Sequence, residues 1–419
     1  MSYRKKILLI TSGFPFGDVE RGFISAEFET LRKYFDLHLI SVGSKEELIH
    51  PFPEDIPVER YFHRFSWRSL KSIVNFILNI FRPLTIAEIF RSITLLSPRK
   101  TLMRVKQILF YSLKAHNAAK HIEKIIYEEN IDIIYTYWCT EMTLAAAILK
   151  NRYPGIKLVT RFHGHDLFTE RRPENWQPFR TYISKKTDKL VFACKNAFDY
   201  YISHWGKYAL STPEIHYLGC KSAEKLKFSP DKQFKLLSCS NLIPLKRVDL
   251  IIDAISKLPD EHSVRWDHFG DGTERKSLEE YASTKLGRNV EYHFHGRVPN
   301  NTLEKCYREI NPDLFITTSS TEGGAPVSIQ EAFSMGIPAI GTDVGGIPDL
   351  IIHEKTGYLL NNSPTKEDIC NSIESYIKLS DSQKEQMSNN AYALWKEKFD
   401  AHNNAEHFSN MLLHLERTK

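Results

Sequence analysis

The chain has 419 residues, 42% of them hydrophobic and 26% charged, with a formal net charge of +5. That length exceeds what one core usually serves, so two domains are expected, and the composition excludes a disordered or fibrous chain. The six cysteines, Cys139, Cys194, Cys220, Cys239, Cys306 and Cys370, form no Cys-x-x-Cys pair and have no His at zinc-like spacing. They read as free thiols in a reducing, cytoplasmic setting rather than a disulfide framework or a zinc module.

The basic start, Met1 to Lys6, leads into Ile7-Leu8-Leu9-Ile10, but the apolar run stops at Ser12-Gly13. It is too short for a signal peptide and reads as a first buried strand, Lys6 to Thr11. A helix from about Phe23 to Tyr34 and a strand from Leu37 to Val42 follow. Between strand and helix lie Gly13, Gly17 and Gly22, at a spacing that does not make the dinucleotide fingerprint Gly-x-Gly-x-x-Gly. Residues 60–114 then hold eleven Lys or Arg against a single acid, Glu88. Their apolar residues recur at helical spacing, as in Leu70, Ile73, Val74, Ile77 and Phe81, with Lys71, Asn75, Asn79 and Arg82 opposite. Such helices suit an anionic membrane surface, and equally suit packing on the first domain with solvated Arg and Lys. No run approaches the roughly 20 apolar residues of a transmembrane helix. RNA binding is a weaker reading, because no nucleic-acid motif accompanies the charge.

Strands from Asp132 to Tyr137, Lys157 to Arg161 and Leu190 to Ala193 continue the first domain. After the second of these comes Phe162-His163-Gly164-His165-Asp166. A lone His is more often structural than catalytic, but His-Gly-His-Asp at a strand end is harder to assign to packing, and Asp166 could cap a turn. A turn-rich segment, Ser211 to Pro230, is the expected hinge. The pattern then restarts with strands Lys235 to Cys239, Val264 to His268, Val290 to Phe294, Asp313 to Thr318 and Pro338 to Gly341. Alternating strands and helices in both halves predict parallel sheets with helices on both faces, and ligands at the C-terminal strand ends. Helices around Gln383 to Lys398 and Asn403 to Leu415 close the chain.

The second half carries the sharpest motif: Thr321-Glu322-Gly323-Gly324-Ala325-Pro326-Val327-Ser328-Ile329-Gln330-Glu331, running on to Gly345-Gly346. It predicts a strand, a tight turn and an exposed helix N-terminus whose unpaired N–H groups suit a phosphate or a sugar oxygen. Glu322 and Glu331 could then accept hydrogen bonds from sugar hydroxyls. Upstream, Asn241-Leu242-Ile243-Pro244-Leu245-Lys246-Arg247 follows a strand and places Lys246 near a helix start, where a cation opposes the dipole unless an anion is bound. Phe269-Gly270-Asp271-Gly272 is read as a backbone-shaping turn, Phe294-His295-Gly296-Arg297-Val298 follows another strand end, and Asp343 is read as a turn residue.

These motifs resemble the retaining glycosyltransferases of family 4. The resemblance implies the GT-B fold: two Rossmann-like domains facing across a cleft, residues 1–212 binding the acceptor and 213–385 the nucleotide sugar, with the C-terminal helix 386–419 returning to the first. It implies transfer of a hexose-type sugar from a UDP- or GDP-linked donor, as substrate rather than cofactor. The acceptor would be a saccharide, expected to be lipid-linked and part of surface polysaccharide synthesis, at the inner face of the membrane. Nucleic acid is not an expected partner. No Asp-x-Asp motif offers a metal site. By resemblance His163, Glu322 and Lys246 are catalytic, and Glu331, Lys246, Arg247, Asn241, Gly324, Ala325, Pro326, Val327, Ser328 and Arg297 bind the donor. Gly17, Asp18, Arg21, His165 and Asp166 fall on the acceptor side. Two departures stand out: Glu322 and Glu331 are one position further apart than the family's Glu-x7-Glu, and Asn241 occupies the place of the family's Arg. A GT-B epimerase and a non-catalytic sugar-nucleotide-binding protein at a membrane surface are the alternatives.

Overall fold

A computed structural model describes residues 3–17, 20–48, 52–63, 65–93, 98–172, 175–228 and 232–415. The chain divides into two units, one formed by Met1–His216 with Ala405–Lys419 and the other by Tyr217–Asn404.

The first unit runs β1 (Lys6–Thr11), α1 (Arg21–Tyr34), β2 (Asp36–Val42), β3 (Val58–Tyr61), α2 (Leu70–Ile80), α3 (Pro83–Ser92), α4 (Pro98–Glu129), β4 (Ile133–Thr136), α5 (Glu141–Leu149), β5 (Lys157–Phe162), α6 (Arg180–Lys186), β6 (Lys189–Phe192), α7 (Lys195–Trp205) and β7 (Glu214–Ile215). Its strands form one sheet in the order β3-β2-β1-β4-β5-β6-β7, and every pairing is parallel. Parallel strands covered on both faces need continuous apolar runs, and Ile7, Leu8, Leu9 and Ile10 of β1 are all buried. A charged pair also lies inside. Arg161 of β5 is paired with Glu27 of α1, donates from Nε to the Tyr135 hydroxyl at 2.8 Å, and donates to the His216 carbonyl at 2.6 Å. The Tyr135 hydroxyl donates to the other Glu27 oxygen at 2.7 Å, so the guanidinium and the carboxylate are both satisfied. Removing one partner would strand a buried charge at a cost of about 3–5 kcal/mol.

The second unit runs β8 (Phe234–Cys239), α8 (Val248–Ile255), β9 (Val264–Phe269), α9 (Arg275–Lys285), β10 (Val290–Gly296), α10 (Asn300–Ile310), β11 (Leu314–Ile316), α11 (Val327–Ser334), β12 (Ala339–Thr342), β13 (Gly357–Leu360), α12 (Lys366–Ile377), α13 (Asp381–Lys398) and the start of α14 (Ala401–Leu413). The sheet order is β10-β9-β8-β11-β12-β13, again all parallel. The two-residue period of the strands sorts the core into two layers. Leu236, Trp266, Leu314 and Ile316 face a layer closed by Ile251 of α8, Leu278 of α9 and Ile373 of α12. Leu237, Phe269 and Phe315 face another, closed by Tyr307 of α10, Ile329 and Phe333 of α11, and Trp395 of α13. Each such side chain contributes about 1.5–3 kcal/mol by leaving water.

In both sheets the strand order reverses next to the first strand, between β1 and β4 and between β8 and β11. Loops leaving the two strands at such a point diverge and open a crevice, the usual ligand place of open α/β sheets.

Several expectations change. Strands β3, β7 and β13 were not anticipated; β7 lies inside the predicted hinge, and the chain leaves the first unit after His216. The return to that unit begins at Ala405 rather than at 386, so α13 stays with the second unit, where Trp395 is core. Lys246 does not open a helix. It ends the short 3-10 turn Pro244–Lys246, and α8 begins at Val248 behind a left-handed Arg247 with φ of 48°.

Candidate functional site

In the second unit the loops after β8 and β11 are stitched together at the switch point. The Ser320 N–H donates to the Leu245 carbonyl at 2.8 Å, and the Thr318 hydroxyl donates to the Arg247 carbonyl at 2.8 Å. The Arg247 guanidinium crosses in the other direction, donating to the carbonyls of Thr318 at 2.6 Å, Ser319 at 3.0 Å and Asn362 at 3.2 Å. These bonds bring the Lys246 ammonium onto the Glu322 carboxylate in a partly buried ion pair. Arg247 is therefore a backbone clamp rather than a second cation turned to a diphosphate.

The turn from Glu322 to Pro326 is shaped from outside. Gly345, at φ of 58°, and Gly346 approach so closely that a Cβ on them would lie 2.3 Å from the Glu322 carbonyl oxygen and 2.3 Å from the Ala325 nitrogen, respectively. Only glycine allows that contact. The Gly346 N–H also donates to the Gly324 carbonyl at 3.1 Å. Pro326 is the N-cap of α11, so the helix proper starts at Val327. Among the described residues no acceptor takes the N–H groups of Val327 or Ser328, the ordinary state of a helix start awaiting an anion. Glu331 lies on the second turn of this helix, mostly buried, and burial alone pushes its carboxyl up to about 7. No donor among the described residues reaches its side-chain oxygens.

Gly270, at φ of 135°, and Gly272 of the turn after β9 pack directly against the carbonyls of Ser240 and Leu242. That turn shapes the loop carrying Lys246, as the sequence suggests. Asn241, Arg297 and Asp343 are exposed. Buried beneath the same loop, the Ser238 hydroxyl bonds His268 Nδ1 at 2.8 Å and accepts from Trp266 Nε1 at 2.9 Å; burial lowers His268 to about 4 and keeps it neutral.

In the first unit, the loops after β1, β4 and β5 converge. Glu20, buried, accepts from the N–H groups of Ser12 at 3.2 Å, Gly13 at 2.6 Å and Phe14 at 2.8 Å, and from the Trp138 indole. The Trp138 ring lies 4.1 Å from the His163 ring, centroid to centroid. His163 Nε2 donates to the Tyr137 carbonyl at 2.9 Å, and burial lowers its pKa to about 4. The imidazole is thus neutral with its proton on Nε2, leaving Nδ1 as an acceptor. Asp166 is wholly engaged with backbone: it accepts from the N–H groups of His163 at 3.0 Å, Gly164 at 2.9 Å and Cys139 at 2.9 Å. It caps the turn and ties the β5 loop to the β4 loop, which argues against an acceptor-side role. His165 is exposed, 5.9 Å from Trp138 between ring centroids. Gly17 has φ of 74° and donates its N–H to the Glu47 carbonyl at 3.1 Å. Arg21 is exposed at the start of α1, and Asp18 lies outside the described residues.

Residues 222–394 match the profile of the family described as Glycosyl transferases group 1. The second unit carries a glycosyl transferases group 1 domain. Among curated relatives, the N-acetyl-alpha-D-glucosaminyl L-malate synthase of Bacillus anthracis is 26% identical over 259 residues, covering 58% of this chain and 64% of that protein. The chain spans between 51% and 66% of the length of three such relatives. Among solved structures, the lipopolysaccharide outer core galactosyltransferase WaaB superimposes with a TM-score of 0.71 at 14% identity, over 97% of this chain and 99% of that one. Anabaena Alr3699/HepE in complex with UDP gives 0.63 at 17% identity, over 98% and 100%. The fold is that of the GT-B glycosyltransferases.

Within the group 1 domain the structure brings Lys246, Glu322, the Gly324–Pro326 turn and the start of α11 together. Asn241, Arg247 and Arg297 make no part of that cluster by side-chain contact. Glu20 and Trp138 were not among the expected site residues. Trp138 lies two residues past the end of β4, and its place at a carboxyl strand end was a usable signal. Glu20 gave none, since an acid beside Asp18 at a helix start reads as an ordinary dipole partner.

Proposed function

We propose that the chain is a retaining glycosyltransferase that moves a hexose-type sugar from a nucleotide-sugar donor to a saccharide acceptor. The observation that carries this reading is the Lys246–Glu322 pair, held at the switch point beside the open N–H groups of α11 and the unpartnered Glu331. Glu331 accepts hydroxyl hydrogen bonds from the donor, which favour its ionised form and draw its pKa down on binding. As the bond from the sugar's anomeric carbon to the diphosphate lengthens, negative charge grows on the leaving oxygen. Lys246 and the N–H groups of Val327 and Ser328 stand ready to balance it, as preorganised electrostatic stabilisation. The acceptor hydroxyl attacks from the same face, and its proton passes to the departing phosphate. In the second unit Glu322 positions the sugar; in the first unit neutral His163 offers its Nδ1 as an acceptor. The nucleotide sugar is substrate, and no cofactor enters this scheme. The UDP complex of the structural neighbour favours a UDP-linked donor. The basic stretch at residues 60–114 supports a lipid-linked acceptor in surface polysaccharide synthesis and a peripheral place on an anionic membrane.

A thermal-shift panel of UDP-, GDP- and ADP-sugars identifies the donor, since a ligand that binds the native state raises its melting point. Transfer assays with NMR of the product anomer then test retention. Lys246→Ala should lower turnover by a factor of about 100–1,000, the scale of losing one charge-stabilising group. Near-normal turnover in that variant, or an inverted anomer, refutes the mechanism. Donor consumption without acceptor would identify an epimerase, and donor binding with neither reaction a non-catalytic protein.

A further inference from the structure

Helices α2 and α3 are amphipathic the wrong way round for a water-facing surface. Leu70, Val74, Ile77 and Phe81 along α2 and its C-cap, and Ile86 and Phe90 on α3, face outward, with Leu70 77%, Phe81 70% and Phe90 71% exposed. Four of their polar residues point inward: Asn79, Thr85, Glu88 and Ser92 are all buried. A polar seam holds the hairpin to α4. Asn79 Nδ2 donates to the Leu109 carbonyl at 2.9 Å, the Ser112 hydroxyl donates to Asn79 Oδ1 at 2.9 Å, and the Thr85 and Ser112 hydroxyls bond at 2.7 Å. Glu88 accepts the Phe179 N–H at 2.7 Å, and its other oxygen lies 3.8 Å from Arg91. A contiguous apolar surface of this kind is unusual in a protein whose surroundings are water alone, and marks a site that something covers.

The charge on the same stretch selects the cover. Residues 60–114 carry eleven cations and one acid, and that acid, Glu88, is the buried one. Arg91 adjoins Phe90, and exposed Arg99 stands before the exposed Leu102. Apolar side chains interleaved with cations fit the boundary between anionic headgroups and acyl chains. The two legs, Ser72–Ile80 and Pro83–Ser92, bend by 61°, and no single helix among the described residues is long and apolar enough to cross a bilayer. We infer that the α2–α3 hairpin inserts its apolar face into the headgroup–acyl boundary of an anionic bilayer. This rests on the membrane-surface reading above and adds that apolar insertion, not charge alone, provides the hold.

The test is flotation of the full chain with vesicles of phosphatidylglycerol and phosphatidylcholine, at low salt and at about 0.5 M salt, where surface charge is screened within a few ångströms. Insertion predicts binding that persists in part at high salt. The double variant Phe81→Ser/Phe90→Ser should weaken that partition by at least about tenfold, since both rings are exposed and their loss leaves the core intact. Binding that vanishes entirely at high salt and is indifferent to the double variant overturns insertion while sparing the surface reading. No binding at low salt overturns both. A dimer by light scattering that the double variant dissociates, with no vesicle binding, assigns the face to a second copy and also overturns the inference. The transferase reading is scored separately, by the donor thermal shift, which the hairpin variant should leave unchanged.

Discussion

Replacing Glu331 with Gln should stabilise the ligand-free second unit and abolish its affinity for the donor. Burial raises the Glu331 carboxyl from its usual 4.5 to about 7, a shift of 7 − 4.5 = 2.5 pH units. The native state therefore holds a proton on Glu331 that the unfolded chain has already released. Stability contributed by that proton is fully present below pH 4.5 and is lost as pH rises through about 7. At about 1.4 kcal/mol per unit the loss amounts to roughly 3 kcal/mol at pH 8. Gln has no proton to lose and escapes the penalty. Calorimetry should accordingly find the melting point of Glu331→Gln close to the parent's at pH 4.5 and some 6–12 °C above it at pH 8, at the 2–4 °C per kcal/mol of a domain this size. Saturating donor should then raise the parent's melting point and leave the variant's unmoved. A gain of the same size at both pH values would refute the burial argument. Undiminished donor affinity in the variant would refute the assignment of the carboxylate to sugar hydroxyls.

Arg247→Ala should lower the ligand-free melting point of the second unit, because three carbonyls lose their donor; an unchanged ligand-free value with weakened donor binding would instead mean that Arg247 touches the diphosphate. Gly346→Ala should displace the Glu322–Pro326 turn, since its Cβ would lie 2.3 Å from the Ala325 nitrogen. Donor affinity should fall at least about tenfold, about 1.4 kcal/mol, and an unaltered dissociation constant would count against the turn as the binding element. His163, held to about 4, stays neutral between pH 5 and 8. His163→Asn should therefore lower kcat without reshaping the pH–rate profile over that range, and the disappearance of an acidic limb in the variant would contradict the neutral assignment.

The strands of both sheets were legible in the chain because parallel, doubly covered strands must be apolar without interruption, as Ile7 to Ile10 are. So was the turn after β11, where Gly, Pro and two acids at helix spacing leave few alternatives. Three of the four edge strands, β3, β7 and β13, escaped notice: β7 is two residues long and β3 is only half buried, so neither of those carries a strong period. Helix α2 was legible as amphipathic, yet its orientation was not. A helical period states that one face is apolar and leaves open which face meets the protein, and the buried Asn79 seam decides it.

Local pattern determined two α/β units and their glycine-shaped turns, and together with the family resemblance it singled out Glu331, Glu322, Lys246 and His163. All of these rest on interactions between near neighbours in the chain: strand period, turn chemistry and the unpaired groups of a helix start. Only the tertiary structure decided how they are used. Arg247 is spent on carbonyls 71, 72 and 115 positions away, Lys246 meets a carboxylate 76 positions away, and Glu20 reaches an indole 118 positions away. Bonds of that sequence separation form where the loops at a switch point converge, and no window along the chain contains both partners.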